Sequence, residues 1–389
     1  MPPRDVFAPT KLGPVTMRNA VIKSATFEGA APGGQVSDRL VAFHRAVAAG
    51  GVGATTVAYL AVSPEGRTHA DQICLRNDVD AGLRRLTDAI HAEGAAAIGQ
   101  IGHAGPVANG RSNGVKAVGS WRMPSPLSMQ MIRTATEDDI ARITEDYVAG
   151  ARKAADCGFD GLEIHLGHGY LLSSFLSPNL NKRKDRRNGS IDNRSSFPRE
   201  VVRRVRDAVP DIAVTAKVSM TDGVRGGLTV EDCLEFCRLL EYDGALDAIE
   251  LSAGSSLMNP MYLFRGPAPV KEFAAAMPQP VRTGMRFVGK GFLKSYPYEE
   301  AFLLPHARRF REALSTPLIL LGGISRRETL DLAMAEGFEF VAMARALLKE
   351  PDLVNRMQAE GANSLCSHCN KCMPTIYSGT RCVELGVTA

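Results

Sequence analysis

The sequence predicts an α/β fold, a (β/α)8 or TIM barrel with long loops on one face, and three observations support it. Apolar strand-like runs alternate with amphipathic helical stretches along almost the whole chain. The runs are apolar at consecutive positions, which is typical of parallel strands that are buried on both faces. There are eight of them, and no Gly-x-Gly-x-x-Gly motif of an open dinucleotide-binding sheet follows an early run.

The predicted elements follow one another in the order that such a barrel requires. The eight strands are predicted at Ala20–Phe27, Val52–Ala61, Ala95–Ile101, Asp160–His165, Ile212–Ser219, Leu246–Ser252, Pro317–Gly322 and Phe338–Arg345. Helical periodicity lies between most of them, at Asp78–Glu93, Glu137–Cys157, Ser196–Val209, Thr229–Leu240 and Arg326–Ala335. We therefore expect a barrel domain over residues 1–360 and a short cysteine-rich tail over residues 361–389.

The bulk composition is that of an ordinary globular protein. Of the 389 residues, 45% are hydrophobic and 23% are charged, so the chain can bury a large core. The net charge of +4 is too small for this length to indicate nucleic acid or an anionic membrane as a partner. No apolar run approaches the roughly 18 residues of a spanning helix, and the first residues lack the apolar core of a secretory signal. We expect a cytoplasmic protein.

Three long segments follow predicted strands and therefore lie on the face where barrel enzymes keep their active sites. They are Pro106–Pro126, Ser177–Arg194 and Gly254–Tyr298. The second contains the basic run Lys182–Arg187, which is interrupted by an aspartate and is interpreted as a solvated loop rather than a nucleic-acid site. The third is rich in Met and Phe, which is compatible with core filling, an oligomer contact or a substrate lid.

The stretch Gly161–Tyr170 carries the strongest chemical signal. It begins as a buried strand and ends with two imidazoles and a phenol, on His165, His168 and Tyr170. Reduction of an activated double bond needs such a set, because an oxygen must be held while charge builds on it and a carbon must receive a proton. Structural histidines, two ligands of a metal and a packed aromatic ring are the alternatives, although no third clustered metal ligand is evident nearby.

The chain resembles the old yellow enzyme family of FMN-dependent oxidoreductases over a long run of spaced identities. In Gly161–Arg194, His-x-x-His-Gly-Tyr-Leu-Leu is followed by Phe-Leu-Ser-Pro, Asn-Lys-Arg, Gly-Ser and Asn-Arg. The resemblance extends from about Phe7 to the cysteine tail. It is stronger to the bacterial branch related to 2,4-dienoyl-CoA reductase and trimethylamine dehydrogenase. The family fold is the eight-stranded barrel.

The resemblance implies an FMN site built from several strand ends. Gln100 matches a glutamine at the flavin pyrimidine edge, and Lys217 falls where relatives usually have arginine beside that edge. The matched positions are Ser24, Ala25 and Thr26 against the flavin, Tyr59 shaping the pocket, Gln100, Lys217, and the phosphate turns Gly322, Gly323, Ala344 and Arg345. A glycine turn that opens a helix, with an arginine beside it, suits a phosphate dianion on chemical grounds as well. Interior polar residues and a plain strand cap are the alternatives.

The resemblance also implies a reaction. NADH or NADPH would transiently supply hydride, and an α,β-unsaturated carbonyl would receive it at its β-carbon with its oxygen between His165 and His168. Tyr170 would protonate the α-carbon. An amine dehydrogenase or demethylase of the same barrel type, and an electron-transfer subunit with a separate reductase partner, stay open. The expected partner is a small electrophilic substrate, with no nucleic acid and no membrane, and homo-oligomers are common among relatives.

The tail carries a compact set of thiols. These are Cys366, Cys369, Cys372 and Cys382. Such a set suits a 4Fe-4S cluster or a tetrahedral zinc ion, and the asparagine after the second cysteine resembles the trimethylamine dehydrogenase branch. Those relatives show a longer gap before the last cysteine and carry further flavin and nicotinamide domains, whereas this sequence stops at Ala389. An iron–sulfur cluster, zinc and a metal-free relic are therefore all retained.

Overall fold

The computed structural model describes residues 4–125, 128–277, 279 and 281–385. Its strands are β1 Thr10–Leu12, β2 Val15–Met17, β3 Val21–Lys23, β4 Ala54–Ala61, β5 Ala96–Gly102, β6 Val118–Gly119, β7 Met123–Pro124, β8 Met131–Thr134, β9 Gly161–Leu166, β10 Ala213–Ser219, β11 Ala248–Ser252, β12 Leu318–Leu320 and β13 Phe340–Met343. Its helices are α1 Asp38–Ala49, α2 Asp80–His91, α3 Gly110–Asn113, α4 Glu137–Asp156, α5 Leu171–Leu176, α6 Ile191–Ala208, α7 Val230–Asp243, α8 Met261–Phe264, α9 Val270–Ala276, α10 Val281–Phe292, α11 Leu304–Ala313, α12 Arg327–Ala335, α13 Arg345–Lys349 and α14 Leu353–Glu360.

The predicted barrel is confirmed. Strands β3, β4, β5, β9, β10, β11, β12 and β13 are parallel and close on themselves in that order. Every residue of β5, β9, β10 and β11 is buried, as expected for strands covered by side chains inside and by helices outside. All eight predicted strands correspond to a barrel strand, so consecutive apolar residues were a sufficient signal.

The observed ends of the strands and helices differ from the predicted ends more than their positions in the chain do. The first barrel strand stops at Lys23, so Ser24–Thr26 lie in the loop beyond it. Strand β12 ends at Leu320, because Gly322 adopts a φ of 112° that no strand residue adopts. Helix α6 starts at Ile191, five residues before the predicted start at Ser196, because the Ser190 side chain accepts a hydrogen bond from the Asn193 amide and caps it there.

The three long segments carry structure of their own. The first contains β6 and β7, which pair with β8 in a small sheet, and its last predicted residue, Pro126, lies outside the described residues. The second contains two buried arginines, Arg183 and Arg187, which pair with Asp185 and Glu137. The interpretation of the basic run as a solvated loop was therefore wrong for these two side chains, and the pair of Arg187 with Glu137 links the loop to the start of α4.

The third segment contains α8, α9 and α10 and has a small apolar core. Met261, Ala274, Met285 and Leu293 of this segment are buried together with Met373 of the tail. The segment therefore binds the cysteine tail to the barrel. Within the described residues, no helix is both long enough and apolar enough to cross a membrane.

Candidate active site

The end of β9 brings His165, His168 and Tyr170 together. The chain reverses after the strand because His168 and Gly169 both adopt left-handed backbone conformations, with φ of 61° and 77°. The rings of His165 and Tyr170 stack at 4.3 Å with 15° between their planes. His165 Nε2 lies 3.2 Å from His168 Nδ1. The three predicted reaction residues thus form one cluster at the carboxyl end of the barrel strands.

The hydrogen bonds around the two imidazoles define their tautomers. The Gly167 amide donates to His165 Nδ1 at 3.2 Å, so the ring proton of His165 is on Nε2 and is donated to His168 Nδ1. His168 Nε2 then donates to Ser252 Oγ at 2.8 Å. Both ring donors are engaged within the protein, and a ligand oxygen reaches them by replacing one of these bonds.

Both imidazoles are neutral at pH 7. Burial lowers the pKa of His168 to about 3, with a smaller contribution from the charge on Lys217. Burial, followed by His168 and Lys217, lowers the pKa of His165 well below its usual value. Neutral rings can donate one hydrogen bond and accept another, whereas imidazolium ions would only donate.

Lys217 lies at the centre of a buried polar network. Its Nζ is 3.1 Å from Glu163 Oε1, 3.0 Å from Glu250 Oε1 and 3.1 Å from Ser24 Oγ. Gln100 donates to Glu163 at 2.7 Å, and the Ser24 hydroxyl donates to Glu250 at 2.8 Å. Three predicted cofactor residues therefore meet inside the barrel, one from the loop after β3 and one each from β5 and β10.

Glu163 and Glu250 are functional candidates that the sequence analysis missed. Burial raises the pKa of Glu163, and the pKa of Lys217 is also raised because the two carboxyl groups outweigh the effect of burial on it. The available signal was a single acidic residue inside each of two fully buried strands, Gly161–Leu166 and Ala248–Ser252. A lone charge in such a strand has to point into the barrel and find a partner there.

A second buried ion pair lies beside the first barrel strand. Lys23 Nζ is 2.9 Å from Glu28 Oε1, and His44 Nε2 is 3.4 Å from the same oxygen. Thr26, between them in sequence, keeps its hydroxyl oxygen buried without a hydrogen-bond partner in the described part of the chain. An unsatisfied hydroxyl at a predicted flavin-contact position fits a polar group of a bound cofactor.

The predicted pocket wall is aromatic. The ring of Tyr59 contacts that of Tyr170 edge to face at 5.5 Å, and its hydroxyl donates to the Gly66 carbonyl at 2.7 Å. Phe27 and Leu257 pack against the same cluster. Since the Ser256 amide donates to the His168 carbonyl at 2.9 Å, the third long segment is attached directly to the histidine cluster and covers it.

The predicted phosphate turns lie at the ends of the neighbouring strands β12 and β13. Gly322 and Gly323 have φ of 112° and 75°, and helix α13 begins after Ala344 without a side-chain cap. One nitrogen of the Arg345 guanidinium, Nη1, is engaged by protein groups. It donates to the side chain of Asn370 and, at 3.1 Å, to a backbone carbonyl of the third long segment.

The cysteine tail forms a small cavity beside Arg345. Cys366, Cys369, Cys372 and Cys382 all line it as free thiols. Burial raises the pKa of Cys372 to about 11, and Arg345 opposes that effect. Among the described residues, no group of three or more His, Cys, Asp or Glu side chains is arranged as a metal site. The predicted metal ligands thus share a cavity without forming a closed coordination set.

Comparison with known proteins gives a consistent result. A model of the NADH:flavin oxidoreductase / NADH oxidase family matches residues 5–252. The 4,4'-dithiodibutanoate disulfide reductase of Rhodococcus erythropolis is 54% identical over 384 residues, which cover 98% of this chain and 95% of that protein. A metal reductase of Desulforamulus reducens is 30% identical over 96% of this chain. The chain spans 52% of that longer relative.

The solved structures agree on the fold. A 2-naphthoyl-CoA reductase in complex with 2-naphthoyl-CoA superposes with a TM-score of 0.81 at 25% sequence identity. The match covers 97% of this chain and 56% of that one. Almost every described element of the present barrel therefore has a counterpart in a larger reductase.

Proposed function

Because the chain belongs to the NADH:flavin oxidoreductase / NADH oxidase family, we propose that it is an FMN-dependent NAD(P)H oxidoreductase that reduces a small electrophile. The observation that carries the proposal is the adjacency of two groups of residues at the same barrel end. One is the buried Lys217 network, and the other is the cluster of His165, His168 and Tyr170.

The residues present fit FMN. Lys217 and Gln100 would hold the pyrimidine edge, Thr26 would use its unsatisfied hydroxyl, and Gly322 and Gly323 would face the phosphate. The bound flavin would supply two-electron hydride chemistry. A lysine ammonium at that edge favours negative charge on the ring, because opposite charges attract strongly where water is excluded.

An α,β-unsaturated carbonyl is the first candidate substrate. Its oxygen would replace Ser252 Oγ, which lies 2.8 Å from His168 Nε2, as the acceptor of the His168 Nε2–H. Neutral imidazole is a suitable donor to a developing enolate. Tyr170, stacked on His165 at 4.3 Å, would deliver its phenolic proton to the α-carbon.

The test of this proposal is anaerobic. Purified protein should carry one FMN per chain. Addition of NADH or NADPH should bleach the flavin, and an enone such as 2-cyclohexenone should then restore its colour. Protein that neither retains nor accepts FMN would refute the proposal. If NAD(P)H bleaches the flavin but no enone reoxidises it, the protein is still an FMN-dependent oxidoreductase, and α,β-unsaturated carbonyls are excluded as its substrates.

An organic disulfide is the second candidate, favoured by the 54% identity to a 4,4'-dithiodibutanoate disulfide reductase. The reaction balances as one disulfide, one NAD(P)H and one proton giving two thiols and NAD(P)+. Hydride would break the sulfur–sulfur bond, and the thiolate that leaves would need the proton of Tyr170 or of the histidine pair. Side-by-side turnover of 4,4'-dithiodibutanoate and 2-cyclohexenone distinguishes the two classes.

For the tail we propose a 4Fe-4S cluster bound by its four cysteines. Support comes from the cavity that all four line and from the x2 spacing of the first three. Iron and sulfide analysis of anaerobically purified protein should give about four of each per chain. Zinc in place of iron, or metal-free thiols, would refute the proposal. Cys369→Ser provides the matched variant, with buried Cys233→Ser as the control for loss of an unrelated thiol.

A further inference from the structure

Arg265 lies in the third long segment, between α8 and α9, and three aromatic rings surround its guanidinium. Its Cζ is 4.6 Å from the ring centre of Tyr262, 4.7 Å from that of Tyr296 and 5.6 Å from that of Phe302. The two tyrosine rings meet edge to face at 5.6 Å, which gives the cage a fixed shape. The cation lies over all three rings, and these rings provide no oxygen acceptor for its N–H groups.

The cation in this cage has no anionic partner within the described part of the chain. No carboxylate there is within ion-pair distance of Arg265, and its Nε is buried without a hydrogen-bond acceptor. Arg327 provides the contrast, because it lies 4.6 Å from the ring of Phe7 and is also paired with Asp331 at 3.0 Å. Buried donors almost always have an acceptor, so an unpaired buried Nε indicates that a ligand group belongs there.

The cage lies beside the predicted phosphate turn. A Cβ on Gly323 would lie 2.6 Å from Phe302 Cδ1, so Phe302 connects the turn to the cage. The backbone carbonyl of Arg265 accepts hydrogen bonds from Arg345 at 3.1 Å and from Asn370 at 2.9 Å. Nη1 of Arg345 is thereby engaged by protein groups, whereas no nitrogen of the Arg265 guanidinium has such a bond among the described residues.

We propose that Arg265 binds an oxyanion at this face of the barrel. A guanidinium edge matches two oxygens of a phosphate or carboxylate, and the aromatic cage prevents the side chain from turning away. Two sources share this chemistry, the phosphate of FMN and a carboxylate of the substrate. Their assignment rests on the proposed function, whereas the presence of an oxyanion site does not.

The experiment compares the wild type with Arg265→Gln, Arg265→Lys and the control Arg327→Gln. Full-length protein is titrated with FMN and with riboflavin by flavin fluorescence, and with inorganic phosphate by thermal shift. KM is measured for 4,4'-dithiodibutanoate and for its neutral dimethyl ester. Loss of a charge-assisted hydrogen bond is expected to weaken oxyanion binding in Arg265→Gln by about tenfold or more, with partial recovery in Arg265→Lys.

Each outcome has one meaning. Weaker FMN binding with unchanged riboflavin binding supports the phosphate source, and a raised KM for the carboxylate with an unchanged KM for the ester supports the substrate source. Equal losses for charged and neutral ligands in both pairs, or no change in either pair together with equal stabilisation of wild type and Arg265→Gln by inorganic phosphate, would overturn the inference. The phosphate titration separates this result from the proposed function, since stabilisation of the wild type but not of Arg265→Gln would uphold the oxyanion site in a protein that reduces nothing.

Discussion

His168 shows how a single residue is defined by its surroundings. Its backbone is left-handed, its Nδ1 accepts from His165, and its Nε2 donates to a serine on a strand that does not neighbour β9. The hydrogen bonds therefore link the end of β9 to β11, across the intervening strand β10. This arrangement also requires that neither ring be charged, because a second ring proton would have no acceptor.

Acidification is therefore expected to destabilise the protein through these imidazoles. His168 in the folded chain stays neutral down to its pKa of about 3, whereas the unfolded imidazole takes up a proton near pH 6.5. The unfolded state binds more protons below pH 6.5, so this histidine lowers the free energy of unfolding by about 2 kcal/mol at pH 5. The loss continues until pH falls through the folded pKa.

Urea unfolding at pH 7 and pH 5 provides the measurement. His168→Asn should lose about 2 kcal/mol less than the wild type between the two pH values. Groups that do not contact His168 contribute equally to both proteins, so the difference reports on His168 and on its influence on the pKa of His165. An identical pH dependence in the two proteins would show that the folded imidazole is already charged at pH 5.

Tyr170 is expected to act in the second half of the reaction alone. Tyr170→Phe removes the proton donor and should slow reoxidation of the flavin by an enone about 100-fold or more. Bleaching of the flavin by NAD(P)H needs no proton from this phenol and should be unchanged. Stopped-flow absorbance separates the two half-reactions, and the exposed Tyr242→Phe serves as the control. Equal slowing of both half-reactions would contradict the assigned role.

At the scale of elements, the site depends on how strands end. Strand β9 ends in a left-handed turn that brings two imidazoles together, and β12 is followed by two glycines with positive φ. The Gly322 turn is closely packed, since an added Cβ would lie 2.5 Å from Leu303 Cγ. Because of these turns, backbone and side-chain hydrogen-bond donors lie at the carboxyl-end face of the barrel, where barrel enzymes have their active sites.

Gly322→Ala is expected to destabilise the chain and to weaken FMN binding. Strain at a φ of 112° and overlap with Leu303 should together cost about 2–4 kcal/mol of unfolding free energy. Gly114→Ala is the matched control, because Gly114 also has a positive φ but a Cβ there would meet nothing within 4 Å. Its cost should be about 1 kcal/mol. Equal urea midpoints for the two variants would exclude a special role of the turn.

At the scale of the whole molecule, the tail and the third long segment stabilise each other. Met373 of the tail is buried together with four residues of that segment, which are Met261, Ala274, Met285 and Leu293. Further along, the Thr380 amide donates to the Glu28 carbonyl at 2.7 Å, and Arg39 donates to the Ser378 carbonyl at 3.0 Å. The tail thus returns to the loop after β3, beside the predicted flavin contacts.

Truncation of one tail side chain measures this coupling. Met373→Ala should leave a cavity that costs about 2–4 kcal/mol, while Leu365→Ala, at a side chain 69% exposed in the same tail, should change stability by about 0.5 kcal/mol or less. Urea unfolding combined with limited proteolysis of residues 254–298 detects the loss. Unchanged protection of that segment in Met373→Ala would mean that the tail is only a passive attachment.

The sequence by itself determined the barrel, because each strand is recorded locally as an apolar run, and eight runs with intervening helices leave little choice of topology. It also placed His165, His168 and Tyr170 together, since they are separated by only a few residues in one turn. Glycine turns at Gly322 and Gly323 were visible for the same reason.

Only the tertiary structure decided which groups meet across the barrel. Glu163, Lys217 and Glu250 come from three strands, and no local pattern states that their charges combine. The partners of Arg345 and the unpaired guanidinium of Arg265 were equally inaccessible, because they depend on where a long segment and the tail fold back. Hydrogen bonds and ion pairs require atoms to be about 3 Å apart in space. For residues that are many positions apart in the sequence, the sequence alone does not show which of them come that close.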